Sequence, residues 1–328
     1  MGQRVRAAQL TGIEGEGFLR SQLKVGTRQS ELATLQTGLV IQELGKLFPD
    51  VELTAVGIHT LRDRVLDVAL AKIGDQGLFT KELEQALLRG DIDLAVHSLK
   101  DMPVDLPAGL VLGAVVKREY AGDVLVTKSG LGLDDLPAGS RVGTASLRRR
   151  AQLLHHHPEL RMELIRGNVP TRLARLAEGS VDALVLAYAG LFRLGLADRA
   201  ASLIPLDVCL PAAGQGALGI EVRSEDHRVR EMVGALDHPP SRLATEAERA
   251  LLRAMEGGCQ VPVGTFARVY GDRLTLSGMV ASLDGSRLVR GETEGPAGDA
   301  SALGVSLGRR LLDMGGADIL REVRGETL

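Results

Sequence analysis

Tryptophan is absent from this 328-residue chain, and with three tyrosines and five phenylalanines the aromatics make up only 2% of it. A binding site built on aromatic stacking, such as single-stranded nucleic acid needs, is excluded by that scarcity. Two cysteines cannot make a disulfide framework; they point to a reducing compartment and leave Cys209 and Cys259 to be explained singly. No apolar run approaches the roughly 20 residues of a membrane span, and residues 1–22 lack the apolar centre of a signal peptide. The formal net charge is only -3, so neither a polycation nor an acidic tail dominates. The expectation is a soluble, cytoplasmic, monomeric protein with no membrane or nucleic-acid partner.

At this length the chain should hold about two or three domains, each able to bury a core. Hydrophobic residues at 45% and charged residues at 25% are ordinary for a globular protein. The basic residues are not ordinary. Of 39, seven are Lys, the last of them Lys128, and the other 32 are Arg. The planar guanidinium fork suits carboxylate and phosphate, so any ligand here should be held by polar and charged groups, and acidic ligands are favoured.

Residues 1–20 show no periodicity and read as a loose leader. Residues 23–26 then read as a strand, and Ser30 as the N-cap of a helix with Leu32, Leu35, Leu39, Val40, Leu44 and Leu47 on one face. A strand over 51–58 follows, then a helix capped by Thr80 and stopped by Gly90, then a short buried strand over 94–96. This alternation defines an α/β layer fold. A second pass begins after Asp123: Gly26-Thr27 recurs as Gly143-Thr144, and Gly90-Asp91-Ile92-Asp93-Leu94-Ala95-Val96 recurs as Gly179-Ser180-Val181-Asp182-Ala183-Leu184-Val185. Two similarly built lobes with a cleft between them are expected. The last third differs. Thr245 and Glu248 read as a capping box opening a helix that Gly257-Gly258 ends. Strands over 265–270 and 273–280 flank Gly271-Asp272 as a hairpin, a third strand covers 287–291, and a helix from about Ser301 stops at Gly315, making a small α+β domain.

Three motifs stand out chemically. Ser146-Leu147-Arg148-Arg149-Arg150 lies on the first turn of a helix, followed by Arg166-Gly167-Asn168 and by Arg172 inside the next helix. Arg there opposes the helix dipole, a conflict that an anion would resolve, although a solvated basic face is the plainer alternative. His97-Ser98-Leu99-Lys100-Asp101-Met102-Pro103 follows a strand, where open α/β sheets bind ligands. There Lys100 could neutralise an anion while Asp101 handles a proton or a developing cation, or the two could form a surface ion pair. Glu256-Gly257-Gly258-Cys259-Gln260-Val261-Pro262 sets a thiol in a permissive loop, whereas Cys209, between Val208 and Leu210, reads as a small buried apolar residue. The run His155-His156-His157 has no metal-site spacing and reads as an exposed helix end.

Taken together, from about Lys24 to near the C-terminus, these motifs resemble the porphobilinogen deaminase family, also called hydroxymethylbilane synthases. The likeness rests on Gly26-Thr27-Arg28-Gln29-Ser30, Gly77-Leu78-Phe79-Thr80-Lys81-Glu82-Leu83, the run 97–103, Gly143-Thr144-Ala145-Ser146-Leu147-Arg148-Arg149, Arg166-Gly167-Asn168, Pro211-Ala212-Ala213-Gly214-Gln215-Gly216 and the run 256–262. It implies two lobes like those of periplasmic binding proteins, one from 21–118 with 215–236 and one from 119–214. A small α+β C-terminal domain with a three-stranded antiparallel sheet would occupy 240–328. It further implies a dipyrromethane cofactor joined to Cys259 by a thioether, and porphobilinogen as substrate. In the family's reaction, porphobilinogen loses ammonia to give an electrophilic methylene-pyrrole, the growing chain attacks it, and after four rounds hydrolysis releases a linear tetrapyrrole for haem biosynthesis. By that likeness Asp101 would be the catalytic acid and base. Arg28, Ser30, Lys100, Thr144, Ser146, Arg148, Arg149, Arg172 and Gln215 would hold the cofactor. Arg28, Arg149, Arg166, Arg172 and Arg193 would hold substrate carboxylates, and no metal is implied. Each added pyrrole brings two carboxylates, which agrees with abundant Arg and few aromatics.

The chain departs from the family pattern at Glu31, Arg62-Asp63, Asp75-Gln76-Gly77, Ala145 and Pro170. Most of these touch residues 60–76, which resemble the family's lid, or the rims of carboxylate sites, so they bear on rate and lid behaviour more than on reaction class. Two other readings compete: a two-lobed cytoplasmic protein that binds a small anion, which leaves the third domain and Cys259 without a purpose, and an RNA-binding module, which would show steeply salt-dependent affinity.

Overall fold

The computed structural model describes residues 22–59, 80–255 and 261–325. The leader, the lid-like residues 60–76, the head of the Gly77-Leu78-Phe79 motif and Cys259 lie outside the described residues. Strands β1 (Gln22–Arg28), β2 (Glu52–Ile58), β3 (Leu94–Ser98) and β4 (Leu110–Val115) join a late strand, β10 (Leu218–Arg223), in one sheet ordered β2-β1-β3-β10-β4. Strands β5 (Asp123–Thr127), β6 (Arg141–Gly143), β7 (Arg161–Glu163), β8 (Ala183–Ala187) and β9 (Ser202–Leu203) form a second sheet ordered β7-β6-β8-β5-β9. The two orders superimpose position for position. In each, the second strand of the order, β1 or β6, pairs in parallel with both of its neighbours. In each, the strand that arrives from the other lobe, β10 or β5, runs antiparallel to both of its neighbours.

The internal repeat seen in the sequence has a physical basis in both lobes. Asp93 Oδ2 accepts from the Lys24 backbone N–H at 2.9 Å, and Asp182 Oδ2 from that of Arg141 at 2.8 Å, so the same buttress holds β1 in one lobe and β6 in the other. A Cβ at Gly26 would stand 2.3 Å from Ile92 Cδ1, and one at Gly143 would stand 2.8 Å from Ile165 Cγ1, which explains why glycine recurs before the threonine.

Helix α1 (Glu31–Leu47) is capped as expected, Ser30 Oγ accepting from the Ala33 N–H at 3.3 Å. It packs with α6 (His227–Gly234) on one face of the first sheet, through Val40, Leu44, Val229 and Val233, while α2 (Lys81–Arg89) covers the other face through Leu83 and Leu87. Thr80 occupies the N-cap position of α2, but its hydroxyl makes no bond to the helix; the stop at Gly90, with φ 77°, is as expected. The second sheet is covered by α3 (Leu147–His156) on one side and by α4 (Val169–Ala177) and α5 (Tyr188–Arg193) on the other. Among the described residues, no helix is long and apolar enough to cross a membrane.

The third domain packs α7 (Pro239–Ala254) and α8 (Ala300–Leu311) on a three-stranded antiparallel sheet of β11 (Val263–Tyr270), β12 (Arg273–Ala281) and β13 (Leu288–Pro296), around Ala247, Leu251, Leu276, Leu307 and Leu311. The hairpin turns at Gly271-Asp272 as expected, and β13 runs on from the expected 287–291 to Pro296. Gly315, with φ 107°, breaks the last helix within the turn Leu312–Gly316, and the chain resumes as α9 (Ala317–Arg324), which sequence reasoning did not foresee.

The capping box at Thr245 and Glu248 is a correction. Helix α7 starts earlier, with two prolines in its first turn and His238 as the cap, so Thr245 lies mid-helix and its hydroxyl bonds back to the Ser241 carbonyl at 2.8 Å. Glu248 is fully buried and serves another end. Its carboxylate accepts from Arg118 Nη1 at 2.6 Å and Nη2 at 3.1 Å, from the Gly214 N–H at 2.7 Å and from the Ala267 N–H at 2.8 Å. Arg118 and Gly214 lie on the two segments that cross between the lobes, and Ala267 lies on β11. One side chain thus ties both crossings to the third domain. Replacing it by Leu strands a buried guanidinium and two backbone N–H groups, so Glu248→Leu should cost about 3–5 kcal/mol. A urea-unfolding series at pH 7 checks this, and a change below about 1 kcal/mol would remove Glu248 from its role as the tie.

Candidate active site

Strand β3 ends in the 3₁₀ turn Leu99–Asp101, so Lys100 and Asp101 sit at the carboxyl end of a central strand in lobe 1. Across from them, β6 leads through Thr144 into α3. Ser146 caps that helix, accepting from the Arg149 N–H at 3.4 Å, and Thr144 Oγ1 accepts from the Ser146 N–H at 3.2 Å. The turn therefore projects Arg148 and Arg149 back toward the lobe junction from a fixed base.

These groups converge on a residue that sequence reasoning did not select. Asp123, the first residue of β5, has a fully buried carboxylate. Its Oδ1 accepts from Arg149 Nη2 and from Gln215 Nε2, both at 2.7 Å; its Oδ2 accepts from Arg148 Nη1 at 2.9 Å. Burial alone would raise the Asp123 pKa, but the two guanidiniums, by charge and by hydrogen bonding, hold it far below the ordinary carboxylate range. Gln215 Nε2 also donates to the Ala121 carbonyl at 2.6 Å, and its Oε1 accepts from Lys100 Nζ at 3.4 Å. A continuous chain of polar contacts thus runs from Lys100 on lobe 1, through Gln215 on the returning crossing, to Asp123 and the arginines of lobe 2.

Burial lowers the Lys100 pKa to about 8, with Asp101 and Asp123 opposing that and Arg148 and Arg149 reinforcing it. Three cations, Lys100, Arg148 and Arg149, therefore face two carboxylates, Asp101 and Asp123; the arginines and Asp123 are buried, and Lys100 and Asp101 are half-buried. An acidic ligand would restore the balance. One orphan atom marks the same need: Arg149 Nε is buried without a hydrogen-bond partner among the described residues.

The remaining residues expected at the site are distributed around this cluster. Arg28 lies half-buried at the end of β1, and Ser30 caps α1. Arg172 donates from Nε to the Gly167 carbonyl at 2.8 Å on the first turns of α4, whose cap is Asn168. Arg166 is exposed on the loop before that helix and enters no bond of the cluster. Arg193 at the end of α5 donates from Nη2 to the Gly216 carbonyl at 2.6 Å, tying lobe 2 to the returning crossing. Arg148 is more deeply placed than a surface clamp, its Nη1 reaching the Leu210 carbonyl at 2.6 Å as well as Asp123. Arg150 turns the other way and donates to the Leu283 carbonyl of the third domain.

Cys209 is fully buried, as its apolar neighbours imply, and burial pushes its thiol up to about 12, so it is no nucleophile. The histidine run closes α3 with His155 and His156 exposed, and His155 Nδ1 lies 2.8 Å from the Gly285 carbonyl. Among the described residues no group of three or more His, Cys, Asp or Glu could hold a metal ion. The signal that could have found Asp123 is an acid at the head of the apolar run Val124-Leu125-Val126, opposite two consecutive arginines.

Fold and site define a two-lobed α/β protein with a buried cationic cluster at the lobe junction, where a third domain is attached. Residues 23–231 match the family model described as porphobilinogen deaminase, dipyromethane cofactor binding domain, and residues 242–313 match the porphobilinogen deaminase C-terminal domain. The chain is 56% identical to the porphobilinogen deaminase of Pelotomaculum thermopropionicum over 94% of its own length and 99% of that protein. It is 57% identical to that of Desulforudis audaxviator over 93% and 99%. The chain belongs to the porphobilinogen deaminase family. Among solved structures, the methionine binding protein MetQ aligns with 66% of this chain and 90% of its own at 16% identity and a TM-score of 0.44. The family match continues through the third domain, for which a two-lobed anion-binding protein has no use.

Proposed function

We propose that this chain is a hydroxymethylbilane synthase, a transferase that joins four porphobilinogen units with loss of ammonia onto a dipyrromethane primer and releases the linear tetrapyrrole by hydrolysis. The observation that carries this reading is the cationic cluster of Lys100, Arg148 and Arg149 at the lobe junction of a chain from this family. Its charge, the burial of its arginines and the orphan Arg149 Nε fit the carboxylates of a dipyrromethane. When bound, the cofactor supplies the nucleophilic pyrrole carbon and holds the growing product.

The protein's own groups divide the remaining work. Lys100 and Arg149 orient acidic side chains, Gln215 steadies Lys100 beside them, and Arg28, Ser30, Thr144, Ser146 and Arg148 shape the same wall. Arg166, Arg172 and Arg193 stand further out, suited to carboxylates of later units. Asp101 accepts pyrrole N–H bonds, protonates the departing amine, and places negative charge beside the cation that forms when the amine leaves. Cys259, five residues after the end of α7 in the sequence, carries the thioether. Residues 21–118 with 215–236, 119–214 and 240–328 make up the two lobes and the anchoring domain. The chain acts as a monomer in the cytoplasm.

Intact mass of the purified protein tests the reading: an excess of two pyrrole units is expected, lost in Cys259→Ala. A bare polypeptide mass from cells that make porphobilinogen would overturn it. For Asp101→Asn the expectation is folded protein with turnover down by at least about 10²-fold, because the amide still accepts a hydrogen bond but can neither carry the charge nor shuttle the proton. Steady-state assays check this, and a near-normal rate would take Asp101 out of the chemistry.

A further inference from the structure

The two arginines that begin α3 need an anion, and Asp123 already supplies one. That pairing is more than charge cancellation, because the same carboxylate fixes an amide. Gln215 Nε2 lies 2.6 Å from the Ala121 carbonyl and 2.7 Å from Asp123 Oδ1. Both of those atoms are acceptors, so only the NH₂ end of the amide can face them, and the carbonyl end must face the other way. The group it then faces is Lys100 Nζ, at 3.4 Å. With Asp123 replaced by a group that can donate, only the Ala121 carbonyl would still hold the amide in that orientation.

We propose that Asp123 is the positioning residue of this site: through Gln215 it orients the acceptor that steadies the Lys100 ammonium, and by direct pairing it holds the Arg149 and Arg148 forks. Cations on two lobes are thereby set in one arrangement before any ligand arrives. Asp123 touches neither the substrate nor the reacting atoms in this account; it acts through Gln215 and the arginines. The burial pattern supports the assignment. Asp123 and Gln215 are 0% and 1% exposed, Arg148 and Arg149 are 4% and 5% exposed, and a buried ionic knot of this kind is costly unless all its members are paired. Cys209 completes the shell, its Sγ 3.6 Å from Asp123 Oδ2.

The assignment has a consequence for Lys100. The charged groups that bear on its ammonium are Asp101 beside it, Asp123 from β5, and Arg148 and Arg149 from α3. Asp123 favours the charged form and the arginines disfavour it, so removal of the Asp123 charge leaves the arginines opposed by Asp101 alone. The Lys100 midpoint must then fall. A purely packing role for Asp123 would leave it where it is.

This proposal rests on the reading that Lys100 and the arginines hold an acidic cofactor, but its test does not. The full-length Cys259→Ala protein, with and without Asp123→Asn, is labelled with trace acetic anhydride between pH 6 and pH 11, and the Lys100 peptide is quantified by mass spectrometry. The expected result is a Lys100 midpoint near 8 that falls by roughly one pH unit in the Asn variant. Should Asp123→Asn fail to fold, Gln215→Leu keeps the Asp123–arginine pairs while removing the acceptor, and the Lys100 midpoint is again expected to fall. An unchanged midpoint in either folded variant overturns the proposal. The second readout is intact mass on a Cys259-containing background, where Asp123→Asn should retain less than about half the wild-type dipyrrole. Equal retention in wild type and variant, with an unchanged midpoint, sinks the positioning role and leaves the proposed function standing. A wild-type protein without any dipyrrole sinks the function, while the labelling still decides the role of Asp123.

Discussion

The site depends on one buried carboxylate. Asp123 is the internal counter-ion that allows two consecutive arginines to sit at the N-terminus of a helix, where the dipole disfavours them, and to be almost wholly buried there. Removing that carboxylate would leave two uncompensated guanidiniums in a medium that screens poorly, so the arginines are held in place by their shared counter-ion. Their placement before ligand binding is what lets a flexible acidic chain be received without reorganising the wall that receives it.

A second buried carboxylate, Glu248, solves a different problem with the same chemistry. Among the described residues, the apolar clusters of the two sheets stay within their lobes, and only a small one, with Ala151, Leu210, Met279 and Ala281, links the second lobe to the third domain. Position at the junction is therefore set by directional contacts: Glu248 to Arg118, Gly214 and Ala267, the Arg118 backbone N–H to Ser241 Oγ at 2.9 Å, and Arg118 Nε to the Gln215 carbonyl at 2.7 Å. The last of these brings the two knots together. Gln215 gives its carbonyl oxygen on the backbone to one and its side-chain amide to the other. The segment that carries it thus links the hinge to the cationic wall.

Much of the fold was legible because it is local. Ser30 and Ser146 cap helices, Gly90 stops one, and the paired Gly-Thr and Asp motifs foretold two lobes of one topology, each through spacing within a few residues. The misreading at Thr245 and Glu248 came from the same habit. A Ser/Thr-x-x-Glu spacing is a capping box only where the chain is entering a helix, and here two prolines had already started it. The tie made by Glu248 and the counter-ion role of Asp123 escaped notice because their partners lie 130 and 25 residues away in sequence, and no local pattern encodes a contact of that kind. The arginine cluster was legible as a need for an anion. That part of the need is met from within the chain required the fold to be seen.

The central claim is that the wall of Lys100 and Arg149, set by Asp123 and Gln215, receives the carboxylates of a cofactor anchored at Cys259. A crystal structure of the protein purified from porphobilinogen-producing cells tests it most directly. The account predicts continuous density from the Cys259 sulfur into the cleft, with carboxylates within hydrogen-bond distance of Lys100 and of the Arg149 guanidinium, and with the Asp123 pairs intact. A dipyrrole attached at Cys259 but lodged away from Lys100 and Arg149, or reaching them only after the Asp123 pairs have broken, would contradict it.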